Sequence, residues 1–200
     1  MTKTREPRQA SLERKTRETE ISVELSLDGT GEYDVSTGIP FFDHMLESFA
    51  KHGMFDLRLR AKGDLSVDLH HTVEDVGIAI GSAMRQALGS AAGIRRYGQQ
   101  VLPMAEAKVE VSVDVSNRPY LVYKVDLAND RVGDFDVSLA EDFLYALASH
   151  AGLDLHVELR YGKSPHHVVE AVFKGTARAL RQALELDPRG GGIPSVKGAL

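Results

Sequence analysis

The sequence His70-His71-Thr72-Val73-Glu74 returns in the second half of the chain as His166-His167-Val168-Val169-Glu170. The two copies begin 96 residues apart (166 − 70), which is close to half of the 200 residues. They also use four of the eight histidines. A chain that carries one copy of the same motif in each half is expected to consist of two similar halves. The motif therefore predicts an internal duplication.

The spacing of the His-His-x-x-Glu motif suits metal binding on a helix. Its first histidine and its glutamate lie one turn apart on the same face. The second histidine is rotated by about 100° but still flanks the glutamate. Imidazole and carboxylate without thiolate favour Mn, Fe, Zn or Ni. One turn cannot surround an ion, so each ion needs ligands from another segment. A single copy would also fit histidines at a solvated helix end, but two matching copies favour metal binding.

The overall composition excludes several classes of protein. The chain is 42% hydrophobic and 26% charged, as in an ordinary globular protein. Its net charge of −5 argues against a nucleic-acid partner, and the absence of cysteine excludes disulfides and zinc–thiolate sites. No apolar stretch reaches the length of a membrane span, and residues 1–9 lack the apolar core of a signal peptide. We expect a cytoplasmic protein with no membrane partner.

The hydrophobic pattern predicts the same order of elements in both halves. In the first half it predicts strands over 11–16, 20–27, 32–36 and 55–59, with helices over 41–52 and from an N-cap at Asp68 to Leu88. In the second half it predicts strands over 107–115, 120–127 and 153–161, with helices over 139–150 and 166–186. An extra strand in each half stays open, and Gly53 is expected to end the first helix.

This order predicts an α+β fold made of duplicated half-domains. Each half is expected to be a small mixed sheet with two helices, and the helices are expected to pack between the two sheets. We predict a flexible tail over 1–7, a first half-repeat over 8–98 and a second over 99–200, fused into one domain. The glycine-rich end of the second half, 190–197, predicts an anion-binding loop, although such ends are often frayed.

Six stretches, two of which contain the repeated motif, are long and specific enough to indicate a family. They are Thr37-Gly38-Ile39-Pro40-Phe41-Phe42-Asp43-His44-Met45-Leu46, His70-His71-Thr72-Val73-Glu74-Asp75, Gly93-Ile94-Arg95-Arg96-Tyr97-Gly98, Arg118-Pro119-Tyr120, His166-His167-Val168-Val169-Glu170-Ala171-Val172-Phe173-Lys174 and Pro194-Ser195-Val196-Lys197-Gly198. In these stretches the chain resembles imidazoleglycerol-phosphate dehydratases, from about Leu12 to Leu200. The resemblance implies a metal-dependent dehydratase, a hydro-lyase that converts imidazole-glycerol phosphate to imidazole-acetol phosphate in L-histidine biosynthesis.

The resemblance also implies the cofactor, the assembly and the site residues. It implies two Mn ions per active site and a homo-oligomer of 24 subunits whose active sites are shared between chains. The implied metal ligands are His44, His70, His71, Glu74, His166, His167 and Glu170. The implied phosphate contacts are Arg96, Arg118, Lys174, Ser195 and Lys197. For proton transfer the resemblance favours Glu18, with Glu170 as the other candidate.

Two positions depart from the family pattern. The family usually has a histidine ligand where this chain has Asp142. A carboxylate also suits Mn, so Asp142 is the predicted ligand. His150 is the alternative, but it lies two turns further along the same helix, roughly 12 Å away. At Ala105 the family places an acid, while the neighbouring Glu106 is retained.

The implied mechanism explains why so many histidines are needed. A metal on one ring nitrogen of the substrate would stabilise an imidazolate, and the imidazolate would expel the neighbouring hydroxyl. A glutamate would then take the proton from the adjacent carbon. Two other classes of function stay in view. A dinuclear phosphate-ester hydrolase would use similar residues, and a metal-storage shell would use the histidines but not the phosphate contacts.

Overall fold

The computed structural model describes residues 7–127 and 131–198 of the chain. The tail expected over 1–7 therefore lies, apart from Pro7, outside the described residues. The fold begins at Arg8, whose side chain is only 8% exposed and ion-pairs with Asp28. Its guanidinium also donates a hydrogen bond of 2.7 Å to the carbonyl of Leu184. Across the described residues, no helix has both the length and the apolar character needed to cross a membrane.

The first half forms a four-stranded mixed sheet with two helices. Its elements are β1 (Gln9–Lys15), β2 (Thr19–Ser26), β3 (Tyr33–Ser36), α1 (Pro40–Gly53), β4 (Asp56–Gly63) and α2 (His70–Leu88). The strand order is β1-β2-β4-β3, in which β3 is parallel to β4 and the other pairs are antiparallel. Ile21, Val23 and Leu25 of β2 are buried and the residues between them are exposed. The sheet therefore has one face against the core and one face outward.

The second half repeats this topology. Its elements are β5 (Tyr97–Met104), β6 (Ala107–Asp114), β7 (Tyr120–Lys124), β8 (Arg131–Val132), β9 (Phe135–Asp136), α3 (Leu139–Ala151), β10 (Asp154–Tyr161) and α4 (Pro165–Leu184). The strand order is β5-β6-β10-β7, again with one parallel pair, β7 with β10. The predicted α+β duplication is confirmed. Strand β5 is the extra strand left open above, and the short β8–β9 hairpin was not predicted.

The four helices pack together between the sheets, as predicted. Helix α2 packs against α3 and α1 packs against α4, so each helix of one half meets a helix of the other. Glycines permit the closest approach. A Cβ on Gly77 would lie 2.7 Å from the carbonyl oxygen of Phe143, and one on Gly81 would lie 2.7 Å from that of Leu147. This cross-packing brings the N-terminal turns of helices from different halves together.

The end of α1 differs from the prediction. The helix continues through Gly53, and Met54 takes the left-handed conformation with φ of 57°. The reason is steric, because a Cβ on Gly53 would lie 2.4 Å from the ring of Phe55. Gly53 is therefore required by packing rather than by its backbone angle. Helix α2 likewise begins later than an N-cap at Asp68 predicts, although the Asp68 carboxylate still accepts from the backbone N–H of His70 at 2.9 Å.

Candidate metal and substrate site

One group of possible metal ligands joins α1 to α4. His44, His166 and Glu170 each offer a ligand atom, and these atoms lie within 4.8 Å of one another. Nε2 of His166 is 3.1 Å from the Glu170 carboxylate, and Nε2 of His44 is 3.8 Å from it. Two imidazoles and a carboxylate at this separation form a partial coordination shell for a divalent cation. Among the described residues this is the group whose ligand atoms converge most closely.

Glu170 remains ionised because cationic and imidazole groups surround it. Its side chain is only 7% exposed and ion-pairs with Lys174 one turn further along α4. Burial alone raises the pKa of Glu170, but Lys174, then His44 and His166, lower it overall. A buried carboxylate with these neighbours is a good metal ligand. It is a poorer proton acceptor for the same reason.

The second group joins α2 to α3. Nε2 of His70 is 3.7 Å from the carboxylate of Glu74, and Nδ1 of His70 is 3.2 Å from that of Asp142. Asp142 thus contacts the opposite ring nitrogen from Glu74. His150 lies near the other end of α3, where its Nδ1 is 2.9 Å from the carbonyl oxygen of Ala146. The structure therefore places Asp142 at this group and His150 away from it.

The two groups are related by the duplication. In each, a motif on α2 or α4 supplies a histidine and a glutamate, and the N-terminal part of α1 or α3 from the other half supplies one further side chain. His44 on α1 and Asp142 on α3 therefore lie on equivalent helices, although His44 approaches the glutamate of its motif and Asp142 contacts the histidine. Each group is built from both halves, so neither half could form one alone.

The second histidine of the first motif is held by a different carboxylate. Nδ1 of His71 is 3.1 Å from Asp64, which lies in the loop between β4 and α2, and 3.8 Å from Glu18. The hydrogen bond that His71 donates to Asp64, followed by the nearby charge of Glu18, raises the pKa of His71. Sequence reasoning missed Asp64, because an acid in a loop carries no periodic signal.

The second histidine of the other motif is held by Glu106. Nδ1 of His167 is 2.7 Å from one oxygen of Glu106, while the other oxygen accepts from the backbone N–H of Ser164 at 2.8 Å. The Ser164 amide, followed by His167, lowers the pKa of Glu106 to about 2. Glu106 lies in the two-residue turn between β5 and β6, so the turn is tied to the start of α4. The sequence identified Glu106 but gave it no role.

Glu18 lies in the turn between β1 and β2, and a hydrogen-bonded chain fixes that turn. The hydroxyl of Thr16 accepts from the backbone N–H of Glu18 at 3.1 Å and lies 3.1 Å from the hydroxyl of Thr19. The Thr19 hydroxyl in turn donates to the buried carboxylate of Asp75, which follows Glu74 on α2. The side chain of Glu18 is 53% exposed. A fixed backbone with an exposed carboxylate suits a group that must reach a substrate.

Four of the five predicted phosphate contacts line one open pocket of about 710 Å³. They are Arg96, Arg118, Ser195 and Lys197. Lys174, the fifth, lies instead beside Glu170. Arg118 and Lys197 are exposed cations, whereas Arg96 is engaged. The pocket therefore offers two accessible positive charges and a hydroxyl to an anion.

Arg96 fixes the C-terminal segment that forms one wall of this pocket. Its guanidinium makes a two-pronged ion pair with Asp114, at 2.7 and 3.0 Å, and donates to the carbonyl of Pro194 at 2.9 Å. The backbone N–H of Gly93 also donates to the carbonyl of Gly192 at 2.8 Å. The described part of the glycine-rich end is thus tied to the fold rather than frayed.

Comparison with known proteins identifies the family. The family profile of imidazoleglycerol-phosphate dehydratase matches residues 37–180. The imidazoleglycerol-phosphate dehydratase of Pelobacter propionicus is 53% identical over 193 residues, covering 96% of this chain and 99% of that protein. That of Paracoccus denitrificans is 55% identical over 194 residues, covering 96% of this chain and the whole of that protein.

Solved structures agree with the sequence comparison. The crystal structure of the Staphylococcus aureus imidazoleglycerol-phosphate dehydratase superposes with a TM-score of 0.82 at 35% identity, covering 90% of this chain and 99% of that one. That of the Pyrococcus furiosus enzyme gives a TM-score of 0.83 at 38% identity, covering 94% and 100%. The duplicated fold and the full-length similarity to these enzymes show that the chain belongs to the imidazoleglycerol-phosphate dehydratase family of carbon–oxygen lyases.

Proposed function

We propose that the chain catalyses the metal-dependent dehydration of imidazole-glycerol phosphate to imidazole-acetol phosphate, a step of L-histidine biosynthesis. The observation that carries the proposal is the convergence of His44, His166 and Glu170 within 4.8 Å, in a chain of this family. A second feature of the same chain supports it, since the pocket around Arg118 and Lys197 presents cations and a hydroxyl that suit a phosphate group.

The residues fit a divalent metal by their chemistry. Imidazole nitrogens and carboxylate oxygens, without thiolate, suit Mn and its neighbours. We propose two Mn ions per active site, held by His44, His70, His71, Glu74, Asp142, His166, His167 and Glu170. Bound metal would supply Lewis acidity, which stabilises negative charge on the imidazole ring and on the departing hydroxyl.

The side chains of the chain have separate tasks in this reaction. Glu18 is proposed to accept the proton from the carbon next to the one that loses hydroxyl, because the Glu18 carboxylate is exposed and close to His71. Glu170 is less suited to that task, since Lys174, His44 and His166 lower its pKa overall. Arg118, Ser195 and Lys197 would hold the substrate phosphate, and Arg96 would keep the Pro194–Ser195 segment in place.

The proposal includes an assembly in which active sites lie between subunits. Each group within one chain offers only a partial shell of ligands. The group that contains Glu170 consists of two imidazoles and one carboxylate. Ligands from a neighbouring copy would complete it. We propose the homo-oligomer of 24 subunits that the family resemblance implies.

The experiment is to incubate the purified protein and Mn²⁺ with imidazole-glycerol phosphate and, separately, with p-nitrophenyl phosphate. Ketone formation from the first substrate without phosphate release from either supports the dehydratase. Phosphate release would instead show a hydrolase. Metal retention with neither product would show a storage protein and would reject the proposal.

The second ion has its own test. Protein purified without chelator is expected to contain two ions per subunit, and Asp142→Ala fewer. His71→Ala and His167→Ala are expected to lose both metal and turnover. Two ions in both the parent and Asp142→Ala would show that Asp142 is not a ligand. Full activity in His71→Ala or His167→Ala would reject the metal assignment.

A further inference from the structure

The second histidine of each motif is held at the same ring nitrogen by a carboxylate. Asp64 lies 3.1 Å from Nδ1 of His71, and Glu106 lies 2.7 Å from Nδ1 of His167. A carboxylate accepts hydrogen bonds, so Nδ1 of each ring must carry the proton. The lone pair of a neutral ring is then on Nε2, which is the nitrogen left for a metal.

The two carboxylates do not come from equivalent places in the duplicated fold. Asp64 belongs to the loop between β4 and α2, whereas Glu106 belongs to the turn between β5 and β6. The counterpart of the β5–β6 turn in the first half is the β1–β2 turn, which carries Glu18. The same contact has therefore been built twice by different segments, which inheritance from a common half-repeat does not explain.

Glu18 is thus the counterpart of Glu106, but it is held differently. Glu106 contacts its histidine at 2.7 Å and also accepts from the backbone N–H of Ser164. Glu18 stays 3.8 Å from Nδ1 of His71, because Asp64 already occupies that nitrogen. The exposed fraction of the side chain is 53% for Glu18 and 40% for Glu106.

We propose that Asp64 and Glu106 are positioning residues that hold His71 and His167 with the proton on Nδ1, and that Asp64 thereby leaves Glu18 free for proton transfer. The assignment of Glu18 rests on the proposed function. The assignment of the two tautomers does not rest on the proposed function, because the tautomers are properties of the metal-free protein. The second half therefore holds its histidine with the turn glutamate Glu106, whereas the first half holds its histidine with the loop aspartate Asp64.

The direct test is the tautomer of each histidine. Solid-state NMR of ¹⁵N-histidine-labelled, metal-free protein near pH 8 distinguishes a protonated Nδ1 from a protonated Nε2, and loss of a signal in His71→Gln or His167→Gln assigns it. We expect the Nδ1–H form at both residues. The Nε2–H form at either residue in the parent protein would overturn the proposal. This test needs no substitution of Asp64 or Glu106.

Isosteric amides test the same contacts through metal binding. Glu106→Gln keeps an oxygen for the Ser164 amide but can turn an N–H₂ group towards Nδ1 of His167, which favours the wrong tautomer. Asp64→Asn does the same at His71. Each is expected to weaken Mn²⁺ binding about 10–100-fold in competition with a chelator, with little change in the unfolding midpoint. Glu13→Gln on the exposed side of β1 removes the same charge and is the control.

The division of labour predicts a different result for Glu18→Gln. It should keep the His71 tautomer and the affinity for Mn²⁺, and lower kcat about 10²–10⁴-fold with little change in KM. A changed His71 tautomer in Glu18→Gln, or unchanged Mn²⁺ affinity in both Asp64→Asn and Glu106→Gln, would overturn the inference. A parent protein that binds no Mn²⁺ and forms no ketone would instead reject the proposed function.

Discussion

At the scale of single residues, Ala105 has an unfavourable backbone conformation beside a carboxylate that matters. It lies in the two-residue turn between β5 and β6 with φ of 48°, next to Glu106. An L-residue with a Cβ loses about 1–2 kcal/mol in this left-handed region, and aspartate or asparagine tolerates it better. An aspartate at this position would therefore suit the turn better than alanine does. The chain keeps the turn because strand pairing on both sides and the Glu106 contacts enforce it.

The first prediction is that Ala105→Gly stabilises the protein. Relief of the left-handed strain is expected to raise the free energy of unfolding by about 1 kcal/mol, reduced by the greater freedom of glycine in the unfolded chain. Urea unfolding of metal-free protein measures it. Ala10→Gly in β1, where no such strain exists, is the control and should lower stability. A loss of stability in Ala105→Gly would contradict the turn geometry.

At the scale of elements, the approach of α2 to α3 decides where Asp142 meets His70. Gly77 and Gly81 face backbone carbonyls of α3 at distances that leave no room for a side chain. Glycine inside a helix normally costs about 0.5–1 kcal/mol relative to alanine, so its presence twice on one face is explained by packing. The glycines therefore belong to the site as much as to the core.

The second prediction is that Gly81→Ala destabilises the protein although it raises helix propensity. A Cβ 2.7 Å from the carbonyl of Leu147 forces the helices apart, at a cost of about 1–3 kcal/mol that exceeds the propensity gain. Gly191→Ala, outside the helices and at a position where a Cβ would meet nothing within 4 Å, is the control for the added methyl group. The midpoints of thermal unfolding are measured for Gly81→Ala and Gly191→Ala. Equal midpoints would contradict the packing of α2 on α3.

The third prediction concerns Asp56, which holds the loop between β2 and β3. Its carboxylate accepts from the backbone N–H groups of Thr30 at 2.8 Å and Glu32 at 3.0 Å. Burial raises the pKa of Asp56, but these backbone donors lower it overall from 3.8. The ionised form is thus favoured by folding, so its contribution is complete above about pH 4 and is lost as pH falls through the lowered pKa.

Asp56→Asn should accordingly be less stable than the parent at pH 7, by about 1 kcal/mol, because a neutral acceptor makes weaker hydrogen bonds. The difference should shrink as the pH falls below 3.8. Urea unfolding at pH 7, 5 and 3 measures it. A difference that stays constant over this range would show that the Asp56 charge does not stabilise the loop.

At the scale of the whole molecule, each half contributes side chains to both groups of possible metal ligands. His44 comes to Glu170 from the other half, as Asp142 comes to His70. If neighbouring copies complete the shells, one active site uses motifs from different chains. The duplication and the assembly then serve the same purpose, which is to bring several helix N-termini to one point.

The fourth prediction tests this sharing with mixed assemblies. His71→Ala and His167→Ala are each expected to be inactive alone. When they are co-expressed and co-assembled, about one quarter of the sites should combine an intact His71 with an intact His167 from another chain, and activity should reappear. Mixing the variants after separate assembly is the control. A co-assembly as inactive as its parts would show that each site takes both motifs from one chain.

The sequence by itself determined the elements and the duplication. Alternation along β2 and helical spacing in α1 are local patterns, so burial of one face follows from the residues. The placement of both motifs at the starts of helices was also readable, since Asp68 precedes the first motif and the helix predicted over 166–186 begins at the second. Strand β5 was harder to read, because its exposed positions include the apolar residues Val101 and Pro103, so polar and apolar residues do not alternate along it.

Only the tertiary structure decided which side chains meet. Asp64 reaches His71 and Glu106 reaches His167 across 7 and 61 positions, from loops that carry no periodic signal. His44 and Asp142 reach the motifs of the opposite half because α1 packs on α4 and α3 packs on α2. Local patterns fix what each segment becomes, whereas the packing of the helices and of the loops beside them fixes which side chains meet and which nitrogen of His71 and of His167 is held.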